Sequence, residues 1–442
     1  MVKQVNASSI KLKYIYHQIL NMNCNSICVV GLGYIGLPTA LMFAKSGYKV
    51  CGFDNDPTVV NSLNNGHAHI IEDGIDDELN TSLSNGSFKA YNELQKSDVY
   101  IIAVPTPFLD GQPDLTYVYD ALNQIAIQLK KGDMLILEST SPVGTTEKLA
   151  KKIAGLRSDL NLTHESASHP DLNIVYCPER VLPGKIFSEL IENDRVFGGL
   201  TQTCSKRAIK LYQSFVKGKC ISTSSKEAEL CKLVENASRD NQIAFANELS
   251  LICDKQNVCC RTVIKLANMH PRVNILEPGP GVGGHCIAVD PWFIISQNKS
   301  LSLLMQTARK INDSKKEWVI QKVLSKVDEY LESNTNVSCE DIVITCFGVT
   351  FKANIDDLRE SPSLFIANSL SKKHEGKVYI VEPHIKKNVV ATETQLQNIT
   401  KEQAFKVTHI AVILVKHDVF FEYESQFWKN KIVIDICGLL FK

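Results

Sequence analysis

One thiol stands where it could do chemistry. Cys286 closes the glycine-rich run Glu277 to Pro291, read as Glu-Pro-Gly-Pro-Gly-Val-Gly-Gly-His-Cys-Ile-Ala-Val-Asp-Pro. Asp290 follows four residues later, one helical turn on if a helix starts near the thiol. Gly281, Gly283 and Gly284 let backbone amides approach a ligand closely. A thiol at a helix start is more acidic than an ordinary one and can act as a nucleophile. A tight turn around a structural cysteine fits the same residues. Roughly fifty residues upstream, Lys232, Asn236, Arg239 and Asp240 recur at spacings that share a helix face. They read either as a solvated polar face or as part of the same site. Glu179, in Cys177-Pro178-Glu179-Arg180-Val181-Leu182-Pro183-Gly184, follows an apolar run and reads as a catalytic acid or a surface one.

A second group of residues suits a nucleotide. The apolar run Ile27–Val30 is followed by Gly31-Leu32-Gly33-Tyr34-Ile35-Gly36, a helical stretch from Leu37 to Ser46, a strand from Tyr48 to Phe53, and Asp54. Strand, glycine turn, helix, strand and acid, in that order, predict a dinucleotide site. Gly31 makes the turn, Gly33 admits the pyrophosphate, Gly36 lets helix pack on strand, and the helix N-terminus favours anionic phosphates. Asp54 accepts the ribose hydroxyls and repels a 2′-phosphate, so NAD is expected over NADP.

These residues need elements to hold them. Strands are expected at Val99–Val104, before Pro105-Thr106-Pro107, and at Met134–Glu138, before Ser139-Thr140-Ser141 and Thr145-Thr146. Thr145 or Thr146 is expected to cap the next helix. A further strand covers Asn173–Tyr176. Ala228–Gln256 reads as one long helix, a natural dimer surface, and Leu303–Glu332 as another. Strands then resume at Asp341–Phe347, Val378–Val381, His409–Val415 and Ile432–Ile436. This second sheet lacks the glycine triplet, but its loop carries Phe351, Lys352 and Arg359, suited to a diphosphate or simply solvated. The fold class is therefore α/β: two Rossmann-like parallel-sheet domains joined by a central helical domain with a long helix. The expected divisions are an extension over residues 1–25, a nucleotide domain over 26–215, the central domain over 216–318 and a C-terminal domain over 319–442. A short helix is expected near Ile10–Leu20, and a polar surface loop around His164–His169.

Composition narrows the function. The 442 residues are 44% hydrophobic and 22% charged, as in a globular chain. Formal net charge is zero, against a broad nucleic-acid surface. The fourteen cysteines show no paired metal spacing, so no metal is expected, and free thiols suit a reducing cytoplasm. No signal peptide or membrane span is visible.

Several motifs together resemble one family. Gly31 to Pro38, Val104-Pro105-Thr106-Pro107, Glu138-Ser139-Thr140, Pro178-Glu179, Lys232-x3-Asn236, Gly283-Gly284-His285-Cys286 and Phe351-Lys352 are similar to the nucleotide-sugar 6-dehydrogenases, from about Ser26 to Leu440. Tyr176 to Gly184, Asn193-Asp194-Arg195-Val196 and His270-Pro271-Arg272-Val273-Asn274 most resemble the branch acting on UDP-N-acetyl-D-mannosamine. The resemblance implies oxidation of a sugar C6 alcohol to a carboxylate, with two NAD and one water. It implies a thiohemiacetal and then a thioester on Cys286. Lys232 and Asn236 would stabilise oxygen charge, Asp290 and Thr140 position water, and Glu179 serve as base for hydrolysis. Arg180, Val181, Arg239, His270, Arg272 and Gly283 would line the UDP-N-acetylhexosamine site, with Phe351 and Lys352 closing over the nucleotide. Tyr34, Ile35, Thr106, Thr146 and Arg359 would join the glycines and Asp54 at the cofactor. A homodimer through the long helix is implied. Two departures stand out. Pro183 replaces a second glutamate common among relatives, and Asp435-Ile436-Cys437-Gly438 lacks a basic residue frequent there. The same chemistry on another UDP-sugar, a one-step alcohol dehydrogenase and a non-catalytic nucleotide-sugar binding protein are the alternatives.

Overall fold

The computed structural model describes residues 24–162, 170–182, 184–284, 286–385, 396–429 and 431–441. The expected helix near Ile10–Leu20, most of the N-terminal extension, the loop at His164–His169, Pro183 and His285 lie outside them. The chain divides into two compact units, Met1–Val234 and Glu235–Lys442.

In the first unit the strands are β1 (Ser26–Val30), β2 (Lys49–Phe53), β3 (Phe88–Tyr91), β4 (Val99–Ile102), the short hairpin pair β5 (Phe108–Leu109) and β6 (Gln112–Pro113), then β7 (Met134–Leu137), β8 (Asn173–Tyr176), β9 (Arg195–Gly199) and β10 (Cys220–Ser224). Eight of them form one sheet in the order β10-β9-β8-β7-β4-β1-β2-β3. Every neighbour pair is parallel except β8 with β9. Helices α1 (Gly36–Lys45), α2 (Pro57–Asn64), α3 (Ile75–Ser84), α4 (Thr116–Gln128), α5 (Thr145–Leu156), α6 (Ile186–Glu192) and α7 (Gln202–Tyr212) make the crossovers. Along β1, Ile27 and Val29 enter one apolar core while Cys28 and Val30 enter the other. Strands buried on both faces read as unbroken apolar runs, and that is why the sequence shows them plainly. Helix α8 (Ser225–Lys255) begins in this unit.

The second unit contains α9 (Cys260–Ala267), α10 (Asp290–Gln297), α11 (Leu303–Ser333) and a five-stranded parallel sheet. Its strands are β11 (Ile344–Phe347), β12 (Val378–Val381), β13 (Gln397–Asn398), β14 (Ile410–Ile413) and β15 (Ile432–Asp435), in the order β13-β12-β11-β14-β15. Val319, Ile320, Val323 and Val327 of α11 pack with Ile366, Ala367 and Leu370 of α12 (Pro362–Lys373) on one face of that sheet. Phe347, Phe420, Phe427 and Trp428 fill the other.

Several expected boundaries move. The strand expected from Asp341 begins at Ile344, because Asp341 ends a short helical turn and its carboxylate accepts from both the amide and the hydroxyl of Ser338. β4 stops at Ile102, two residues before Val104, and β14 is shorter than His409–Val415. Neither Thr145 nor Thr146 caps α5. Gly144 holds the cap position with φ 90°, and Glu229 satisfies the helix terminus.

Candidate active site

The dinucleotide turn is built as its spacing predicts. Gly31 turns the chain at φ 90°, and a Cβ there would sit 2.6 Å from the Ala103 carbonyl oxygen. A Cβ on Gly36 would lie 1.8 Å from the Gly31 oxygen, so α1 can approach β1 only through a glycine. At Gly33 a Cβ would meet nothing within 4 Å, so space is open there for a ligand. Tyr34 and Ile35 are half-buried beside it. The sheet order reverses between β1 and β4, where ligand crevices of such sheets form. At the end of β2, Asp54 accepts from the amides of Leu32 (3.0 Å) and Asp56 (3.0 Å). Thr106 and Thr140 are half-buried in the loops after β4 and β7. Those loops are joined by the Ser139 hydroxyl, which donates to the Val104 oxygen at 2.7 Å. These residues fit a dinucleotide at the N-terminus of α1.

Thr146 is placed differently from its expected cofactor role. It is fully buried, and Glu229 accepts from its amide (2.7 Å) and its hydroxyl (2.6 Å). Glu229 also accepts from the Gly144 amide at 2.6 Å. A carboxylate from α8 thus fills the anion-binding start of α5. Burial raises the Glu229 carboxyl against these hydrogen bonds.

Glu179 is no surface acid. It is buried after β8, its carboxylate accepts from the Arg180 amide at 2.5 Å, and it pairs with the buried guanidinium of Arg195 on β9. Arg195 Nη1 also lies 3.9 Å from Glu138 at the end of β7. Tyr212 of α7 donates its hydroxyl to Glu138 at 2.7 Å, and the Thr39 hydroxyl of α1 does so at 3.4 Å. Burial pushes the Glu138 carboxyl up to about 7, against the pull of Arg195. Sequence reasoning gave Glu138, Arg195 and Tyr212 no role. The available signal was Arg195 itself, a charge in an otherwise apolar strand, which must find a partner inside. Arg180 and Val181 follow Glu179 and are half-buried.

In the second unit Cys286 is half-buried. No helix starts at the thiol: a turn covers residues 287–289 and α10 begins at Asp290. The Cys286 carbonyl accepts from the amides of Val289 (3.1 Å) and Asp290 (2.8 Å). The buried Asp290 carboxylate accepts from Asn236 Nδ2 at 2.5 Å. The amide of α8 and the acid of α10 are therefore joined one turn from the thiol. Lys232 is half-buried four residues before Asn236 on α8, and Arg239 is exposed. Asp240, expected to share that face, is fully buried and pairs with Arg309 of α11 at 2.7 Å.

The glycine run leans on the loop after β11. A Cβ on Gly283 would sit 2.6 Å from the Glu360 oxygen and 2.8 Å from Phe351 Cβ. Gly284, at φ +77°, has Phe351 Cε2 where its Cβ would come within 2.9 Å, and its amide donates to the Arg359 oxygen at 3.2 Å. Lys352 and Arg359 are exposed, and the Arg359 guanidinium is held by Asp357 at 2.6 Å. Beneath the loop the buried Glu382 accepts from the amides of Val349 (2.8 Å) and Thr350 (3.3 Å). His417 braces the far side through Nδ1, which accepts from the Asn354 amide at 3.0 Å. Neither Glu382 nor His417 was assigned a role from sequence. His270 and Arg272 are exposed in the turn after α9, which Asn268 closes by bonding both the amide and the carbonyl of Ile275.

The chain matches the three domains of one family. Residues 25–216 match the NAD binding domain of the UDP-glucose/GDP-mannose dehydrogenase family, 226–314 its central domain and 345–442 its UDP binding domain. The UDP-N-acetyl-D-mannosamine dehydrogenase of Salmonella typhi is 46% identical, over 95% of this chain and 100% of its own. An NDP-N-acetyl-D-galactosaminuronic acid dehydrogenase of Ralstonia nicotianae is also 46% identical, over 95% and 97%. The solved UDP-D-ManNAc dehydrogenase of Pyrococcus horikoshii superposes with a TM-score of 0.83 at 36% identity, covering 94% of this chain and 96% of that one. The chain is thus a member of the UDP-glucose/GDP-mannose dehydrogenase family, an NAD-dependent oxidoreductase with a nucleotide-sugar-binding domain.

Proposed function

We propose that this enzyme oxidises the C6 alcohol of UDP-N-acetyl-D-mannosamine to the carboxylate, giving UDP-N-acetyl-D-mannosaminuronate. The observation that carries this reading is the Asn236–Asp290 bond of 2.5 Å beside the Cys286 turn. Gly31, Gly33, Tyr34, Ile35, Gly36, Asp54 and Thr106, with Arg359, would hold NAD, which would supply the hydride acceptor for C6 in each of two rounds. Lys232 takes the hydroxyl proton in the first round, and with Asn236 stabilises charge on the C6 oxygen. The Cys286 thiolate adds to the aldehyde carbon, and the adduct loses the second hydride to become a thioester. Asp290 and Thr140 hold water. Glu179 takes a proton from that water as it cleaves the thioester, returning the thiolate and releasing the carboxylate. Arg180, Val181, Arg239, His270, Arg272, Gly283, Phe351 and Lys352 bind the sugar nucleotide. In balance, one alcohol, two NAD and one water become one carboxylate, two NADH and three protons.

The sugar choice is supported by the similar UDP-N-acetyl-D-mannosamine dehydrogenases, and the N-acetyl-D-galactosaminuronic acid dehydrogenase at equal identity makes the galactosamine nucleotide, which differs from the mannosamine one at both C2 and C4, the competing substrate. The domain divisions proposed are 1–25, 26–215, 216–318 and 319–442, with a homodimer through α8 working in the cytoplasm. Among the described residues no helix is long and apolar enough to cross a membrane. The test is NADH release by the purified protein on a panel of UDP-N-acetyl-D-mannosamine, -glucosamine and -galactosamine and UDP-glucose. Two NADH per sugar with the mannosamine nucleotide at the highest kcat/KM is expected. Release of one NADH per sugar would mark an alcohol dehydrogenase, and none on any sugar a binding protein.

A further inference from the structure

The base proposed for thioester hydrolysis is not alone in its surroundings. Glu138, Glu179 and Arg195 are each at most 6% exposed. Two carboxylates therefore share one guanidinium inside the first unit. Arg195 engages Glu179 directly, while Nη1 has no hydrogen-bond partner among the described residues and points its charge at Glu138 from 3.9 Å. The Arg195 Cζ lies 5.0 Å from the Tyr212 ring centroid, so the ring backs the guanidinium. The remaining polar groups facing the cluster are Thr39 from α1, the Tyr212 hydroxyl from α7, Cys177 at the end of β8 and Cys220 on β10.

We propose that Arg195 and Glu138 are positioning residues for Glu179: Arg195 clamps its carboxylate, and Glu138 sets the strength of that clamp by competing for the same guanidinium. The proposal rests on the reading of Glu179 as the hydrolytic base. A buried pair of carboxylates with one cation carries a net negative charge if both ionise, which burial opposes. One proton in the cluster restores neutrality, and Glu138 is the better holder. It lacks a direct hydrogen bond to Arg195, and its two hydroxyl neighbours can either donate to a carboxylate or, after rotation, accept from a carboxylic acid. With Glu138 neutral, Arg195 serves Glu179 alone. With Glu138 ionised, the guanidinium is drawn between two anions and Glu179 loosens. Burial holding the Glu138 carboxyl near 7 puts this exchange in the neutral range. An ionisation away from the sugar would thus appear in the rate of thioester cleavage and not in the hydride steps.

The test uses the full chain, saturating NAD and the best substrate of the panel. NADH is followed by rapid mixing, and acid-quenched protein is weighed for an acyl adduct on Cys286. Glu179→Gln serves as the reference and is expected to give a burst of two NADH per site and a trapped thioester. Arg195→Lys is expected to reproduce burst and adduct, with steady-state turnover lower by about tenfold to a hundredfold, the loss that follows slight misplacement of a catalytic group. KM for the sugar nucleotide stays close to that of the unmutated protein. Glu138→Gln is expected to remove the neutral-range inflection from the pH profile of kcat. An Arg195→Lys protein with an unchanged melting curve, no burst and no adduct overturns the proposal. If that variant does not fold, Glu138→Gln decides, and a retained inflection overturns it. A normal time course for Glu179→Gln overturns the assignment of the base, and the proposal with it.

Discussion

Alcohol oxidation needs a hydride acceptor and a base, whereas aldehyde oxidation also needs an adduct from which a second hydride can leave. Cys286→Ser should therefore bind UDP-sugar and NAD but lose steady-state NADH production, with at most slow oxidation to the aldehyde level. Turnover and intact mass check this. Cys259→Ser, at an exposed thiol, should keep near full activity. At the cofactor end, Asp54→Ala should narrow the preference for NAD, read as the ratio of kcat/KM for NAD and NADP at saturating sugar. At this scale the turn glycines were legible because their positions tolerate so few residue types. Gly36, with a backbone oxygen 1.8 Å from where its Cβ would be, admits nothing larger. Glu138, Arg195 and Tyr212 were not legible as a cluster, because residues from β7, β9 and α7 meet only once the sheet order is known.

Elements were easiest to read where both faces are buried, as in β1, β4 and β7. They were hardest at the sheet edge: β10, with half-buried and exposed residues only, carries no apolar run, and β9 ends in two glycines. The start of α5 was misread for a related reason. Local sequence offers Thr145 and Thr146 as caps, while the carboxylate that satisfies the terminus comes from eighty-odd residues away. Glu229→Ala should therefore destabilise the protein by about 1–3 kcal/mol, the cost of leaving buried donors unmet. Glu229→Gln should recover part of that loss in denaturant melts. On α11, Lys315 is buried, its Nζ donates to Ser250 Oγ at 2.6 Å, and burial lowers its pKa to about 7. Its unfolded value lies near 10.5, so between these two pH values the unfolded chain binds more protons. The unmutated protein should gain stability relative to Lys315→Met as pH rises from 7 towards 10, a slope that paired thermal melts would show.

At the scale of the whole molecule, helix α8 carries exposed Leu230, Val234, Phe245 and Ile252. At 100° per residue these four fall within about 60° of one another, a single apolar stripe. An exposed apolar stripe of this kind marks a surface for association. Phe245→Asp should convert the proposed dimer to monomer at micromolar concentration, measured by light scattering. An unmutated protein that is already monomeric there would refute the dimer. The packing of Gly283 and Gly284 against Phe351 and Glu360 has a further consequence. Because the Gly284 amide is bonded to the Arg359 oxygen, the turn that presents the thiol cannot shift without the loop that would hold the nucleotide. The nucleotide half of the substrate, which takes no part in the oxidation, would then act on the rate. UDP alone should slow hydrogen exchange at the Gly284 amide, and free N-acetylmannosamine should be a poor substrate even at concentrations that fill the sugar site. Adding UDP to the free sugar should restore part of the missing kcat, because binding energy from a remote group is used to hold the nucleophile in place.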